Sequence, residues 1–144
     1  MTTLIHSYWA YLVLIFLIAA TVNALRGWIS NKEFSPLDRR LSLGALVVSH
    51  VQLLIGLFTF YLSPLFDSLR SIGMGAAMKN AALRKALIEH PSTMLVAIVL
   101  LTIGFSKHKK KTNDLAKFKT LSWYYGMALL LSLAMIPWAQ WLAE

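Results

Sequence analysis

Four long apolar runs constrain this chain more than any other feature: Leu4–Leu25, Leu41–Leu62, Ala86–Ser106 and Leu121–Leu142. Each is about 20 residues long, the length of helix that crosses a hydrocarbon core of ~30 Å. Lipid offers no water to unpaired peptide groups, so each run must close its own hydrogen bonds as a helix. Only the third is interrupted, at its edge, by Glu89, His90 and Pro91; the other three contain no Asp, Glu, Lys or Arg. The chain is 58% hydrophobic and 14% charged, where soluble domains run near a quarter charged. These features predict an all-α integral membrane protein, an up-down four-helix bundle forming a single domain over residues 1–144.

The formal charge of +8 has meaning only once it is located. Ten of the fourteen Lys and Arg fall in the first and third connections: Arg26, Lys32, Arg39, Arg40, Lys107, Lys109, Lys110, Lys111, Lys117 and Lys119. The positive-inside bias puts those connections in the cytoplasm and both termini, with the long middle loop, on the opposite side. Tyr8, Trp9, Tyr61, Trp138 and Trp141 then mark the outer interface, and Trp28 and Trp123 the inner one. The lysine run from Lys107 meets anionic lipid headgroups. It is not a nucleic-acid site, because no stacking aromatics are interleaved with it. His108, inside that run, is expected to be solvated. The first apolar run is too long for a cleavable signal core and lacks a basic region before it.

The outer loop, residues 63–89, is too long for a simple connection. Ser63-Pro64 ends the second helix, and Gly73-Met74-Gly75 reads as a break. Ala76–Ile88, rich in helix formers, predicts an extra helix lying along the outer interface before the chain turns inward. A third span starting at Pro91 would have only about 16 residues to Ser106, or ~24 Å, so it is expected to take in part of Ala81–His90.

Chemistry has few candidates. With no cysteine, disulfides, thiolate metal sites and cysteine nucleophiles are excluded. Ion carriers and proton pumps use ionisable groups within the membrane, and these runs lack them. No catalytic triad, phosphate loop, paired-carboxylate site or zinc-protease motif is present. The histidines His6, His50 and His90 remain. Each has an ordinary structural reading, facing headgroups, bonding a neighbouring carbonyl or capping a helix. The sharper reading is axial ligation of haem iron by two imidazoles. At 1.5 Å per residue, His6 lies ~12 Å and His90 ~9 Å outside the bilayer centre, whereas His50 lies ~3 Å inside it. Helical side chains lean toward their own N-terminus, so His6 and His90 lean outward together and His50 leans away. The first and third helices are diagonal in an up-down bundle. Small residues at Ala10, Ala97, Gly104, Ser42, Ser49, Gly56 and Ser63 form stripes that pack helices and also leave room for a flat macrocycle.

The stretches HSYWAYLVL from His6, SHVQLLIGL from Ser49, Gly73–Met94, TIGFSKHKKK from Thr102 and IPWAQW from Ile136 resemble the small four-helix membrane proteins of flavobacteria and their relatives labelled cytochrome b or cytochrome b-like. The likeness spans nearly the whole chain. It implies a b-type haem protein of the bacterial inner membrane, with His6, His50 and His90 as the matching histidines and without saying which two ligate. Known members of the wider cytochrome b class pair two histidines on each of two helices; this chain has no such pairs, so one haem is expected at most.

The expected function is electron transfer through haem b near the outer face. His6 and His90 are the expected axial ligands, with His50 as the alternative, and Arg84 and Lys85 are placed to neutralise the propionates. The competing expectation is a cofactor-free accessory subunit of a larger membrane or respiratory complex. A quinone is a candidate partner, and an electron carrier or subunit is favoured over a stand-alone catalyst.

Overall fold

The computed structural model describes residues 1–143, which form helices joined by short connections and contain no strand. Helix α1 spans Thr2–Ile29 and α2 spans Pro36–Tyr61. The start of α2 is fixed by a capping box: the Asp38 amide donates to Ser35 Oγ at 3.3 Å and the Ser35 amide to Asp38 Oδ2 at 2.8 Å. Pro36 occupies the first helical position, where its missing N–H leaves nothing unpaired. Three helices are long and apolar enough to cross a membrane: Thr2–Ile29, Pro36–Tyr61 and Ala81–Lys109. Much of their apolar surface points outward, through Ile15, Ile18, Val22, Leu54, Leu57, Leu95 and Val99.

The segment after α2 differs from the sequence expectation. Residues 64–72, expected as part of the outer loop with no helix of their own, form an amphipathic helix α3, Pro64–Ile72, capped by Ser63. Gly73, at φ 84°, supplies the left-handed turn that side chains resist. The helix expected over Ala76–Ile88 is split at Asn80. Helix α4 covers Met74–Lys79; Asn80 then accepts from the Leu83 amide at 3.1 Å and caps α5, Ala81–Arg84. From there the chain runs without a break through a π turn, Lys85–Glu89, into α6, His90–Lys109. Pro91 therefore does not begin this helix but lies inside it. A proline ring clashes with the carbonyl four residues back and supplies no N–H. The wider π turn, in which the His90 amide reaches Lys85 O, accommodates it.

Helix α7 spans Asp114–Met135 with Asn113 as its cap, so the fourth helix starts and ends earlier than the apolar run Leu121–Leu142. Pro137 breaks it, and a single turn α8, Trp138–Trp141, follows. The first segment of α7 carries Asp114, Lys117 and Lys119.

Helix α1 packs against α2 and α7, and α6 packs against the same two helices. Neighbours run antiparallel. Asn23 Nδ2 donates to Asp38 Oδ1 at 2.8 Å, Trp9 Nε1 to Val48 O at 2.8 Å, and Gln52 Nε2 to His6 O at 2.9 Å. Trp9 thus serves as a rivet between α1 and α2, beyond the interfacial anchoring its sequence position suggests.

Burial is unequal along the helices. Buried residues lie between Leu17 and Gly27 on α1, Asp38 and Ser49 on α2, Ala97 and His108 on α6, and Phe118 and Ala128 on α7. All are in the part nearer the two basic connections. There the helices approach closely through Ala20, Ala24, Ala45, Ala97 and Ala128 around Tyr125, Phe118 and Leu101. Tyr125 Oη, fully buried, donates to Ser42 O at 2.7 Å, tying α7 to α2. At the opposite end, no residue of Thr2–Phe16, His50–Tyr61, His90–Val96 or Leu129–Met135 is buried.

Candidate functional site

The less tightly packed end is where α1 and α6 face each other through His6 and His90. Their ring centroids are 6.3 Å apart with planes at 74°. His6 sits one turn into α1. Its ring lies over Gly56 of α2, where a Cβ would come within 3.2 Å of Cε1 and 3.6 Å of Nδ1. The absence of a side chain at 56 therefore makes the place the imidazole occupies. His90 follows the π turn, and its Nδ1 lies 3.1 Å from Met135 O on α7. With Nδ1–H donating to that carbonyl, Nε2 keeps its lone pair. A backbone carbonyl on the distal nitrogen is the usual way a ligating histidine is oriented.

His6 Nδ1 is buried and has no hydrogen-bond partner, as has Gln52 Oε1 on α2. Buried polar atoms are nearly always paired in folded proteins. A third unpaired atom, Thr21 Oγ1, lies on α1 within the closely packed part, so an unpaired atom does not by itself mark a site. Gly56 is one of the small residues singled out from sequence, whereas Gln52 and the Met135 carbonyl are not anticipated there. A glutamine inside an apolar run was the available signal for the first of these two.

His50 does not join this pair. It is exposed, its Nδ1 lies 2.8 Å from Leu46 O on its own helix, and its Nε2 is 3.4 Å from Thr102 Oγ1. Arg84 is engaged, with Nε 2.8 Å from Glu89 Oε1 and Nη1 donating to Met78 O at 3.0 Å, which fastens α4 to the π turn. Lys85 is exposed at the start of that turn. His108, expected in solvent, is only 1% exposed. It follows Leu101 and Gly104 on the buried stripe of α6, bonds Phe105 O through Nδ1 and lies against the rings of Phe34 and Phe105. The surrounding cations rest on aromatic faces: Arg39 and Lys109 over Phe105, Lys117 over Phe34.

Among the described residues no group of three or more His, Asp or Glu side chains is arranged to hold a metal ion. The donor set at the α1–α6 crossing is therefore two imidazoles, one held by a carbonyl and one with a free, buried nitrogen. The chain matches no family model, no curated protein and no solved structure.

Proposed function

We propose that this protein is a four-helix membrane bundle that binds one b-type haem between His6 and His90 and passes electrons near the non-cytoplasmic face of a bacterial inner membrane. In this reading α7 completes the bundle begun by the three strongly apolar helices, and the basic connections face the cytoplasm by the positive-inside bias.

The carrying observation is the approach of the two rings. The centroids lie 6.3 Å apart with planes at 74°, a spacing that ordinary edge-to-face ring pairs share and that brings two nitrogen donors from diagonal helices to one place. Two protein donors are too few for a structural zinc site, which takes four. They suit a metal that brings its own equatorial nitrogens. The unpaired His6 Nδ1 and Gln52 Oε1 support a place for a further group.

Within this site His6 and His90 would hold the group, the Met135 carbonyl would orient His90, and a bound haem would supply one-electron redox chemistry. The apolar walls of α1 and α2 would keep water from it and so help to set its potential.

A second reading, a cofactor-free accessory subunit, draws on the same His90–Met135 contact, which also clamps α6 to α7. The deciding measurement is a reduced-minus-oxidised absorption spectrum of protein purified from haem-replete cells. Soret and α bands are expected in the wild type and His50→Ala and are lost in His6→Ala and His90→Ala. A wild-type preparation without a Soret band would sink the haem reading.

A further inference from the structure

Along the outside of α1, Ile15, Ile18, Ala19 and Val22 form the wall of a groove that Leu41 of α2 closes and that Asn23 and Arg26 terminate. Its volume is about 520 Å³, within the range of small-molecule sites. Beyond Arg26 it adjoins a smaller recess lined by Asn23, Arg26, Ser30 and Lys32. From Ile15 to Arg26 the groove runs ~16 Å at 1.5 Å per residue, about the depth of one leaflet's half of a ~30 Å hydrocarbon core. Apolar walls over one leaflet's depth, ending in cations at the water boundary, have the shape and polarity of a phospholipid.

The charges fit one class. Arg26 is exposed and has no carboxylate partner among the described residues, whose ion pairs are Lys32–Asp38 and Arg84–Glu89. Lys32 Nζ, 3.2 Å from Asp38 Oδ1, is half-exposed and retains donors facing the recess. Asn23 already donates to Asp38, so Asp38 is consumed internally and leaves the recess net positive. Basic recesses beside membrane helices recognise anionic headgroups, and a guanidinium is matched to a phosphate by its forked donors.

We infer that this groove holds one anionic phospholipid of the cytoplasmic leaflet, its acyl chain along Ile15–Val22 and its phosphate on Arg26 and Lys32. The inference rests on the membrane reading above and is independent of the haem.

The test uses the full chain extracted from membranes in mild detergent, with bound lipid identified by headgroup mass spectrometry and counted by phosphorus assay. Wild type and Arg40→Gln, an exposed cation at the same end that does not line the groove, should retain an anionic phospholipid. Arg26→Gln should retain about fivefold less, as expected for the loss of one interfacial cation contact, and the groove-filling Ala19→Phe should also retain less because its ring occupies the acyl-chain wall. Equal retention in Arg26→Gln and Arg40→Gln overturns the inference, as does a zwitterionic lipid or a quinone bound in its place. An alkaline wash separates the two levels. Release of the chain into the supernatant defeats the membrane reading itself, whereas a chain that stays in the membrane with lipid indifferent to Arg26 defeats this inference alone.

Discussion

Replacing Gly104 with alanine tests whether α6 and α7 are as tightly apposed as described. A Cβ at 104 would overlap the Cβ of Tyr124 and lie 2.9 Å from its Cγ. Carbon atoms rest at ~3.5–4.0 Å, so the helices must part by more than half an ångström. The obstacle is the root of the tyrosine side chain, which no rotamer change moves. A gap of 0.5–1 Å forfeits about a quarter to a half of each dispersion contact along the seam. Overpacking of this kind costs about 1–3 kcal/mol, against which alanine recovers about 0.5–1 kcal/mol of helix preference over glycine. The net expectation is a loss of about 1–2 kcal/mol by that reckoning. Gly126→Ala is the control, since its nearest neighbour is Thr21 Cγ2 at 3.9 Å, an ordinary contact. It should be neutral or stabilising. Thermal unfolding in detergent, followed by far-UV circular dichroism, measures both. A Gly104→Ala protein that melts with the wild type, or a Gly126→Ala protein that falls equally, would refute the close apposition.

Other outcomes follow from single contacts. Tyr125→Phe removes the buried bond to Ser42 O, whose carbonyl keeps its helical partner, and should cost about 0.5–1.5 kcal/mol; the same melt reads it. Asp38→Ala strips the acceptor of Asn23, Lys32 and Ser35 at once and should cost about 2–3 kcal/mol, at the scale of bonds to a charged group. Amide hydrogen exchange should show the loss first in residues 30–40 of that variant. His108→Ala, by vacating the space between Phe34 and Phe105, should lower the melting point, whereas Lys110→Ala beside it, exposed, should not.

The helices were largely legible because lipid-length apolar runs admit few other structures, and α1 and α2 contain the runs that announced them. What hydropathy could not show was where the breaks fall. The Ala-rich stretch 76–88 has helix formers on both sides of Asn80, and only that residue's capping bond divides it. The length a membrane span needs already put part of Ala81–His90 ahead of Pro91 in the third helix, as found, but the π turn that accommodates the proline has no sequence mark of its own. The run to Leu142 hid the end of α7, although Pro137 was the available signal. The pairing of His6 with His90 could be read from depth and lean together. His108 was misplaced because its lysine neighbours spoke for solvent, whereas its position seven residues after Leu101 and four after Gly104 put it on the buried stripe.

Close packing is concentrated toward one end of the helices, around Tyr125, whereas the end bearing the paired rings is joined by single bonds, Trp9 to Val48 O, Gln52 to His6 O and His90 to Met135 O. Substitutions at the two ends should therefore differ in kind: those around Tyr125 lower global stability, and those at the opposite end loosen one contact and leave the seam in place.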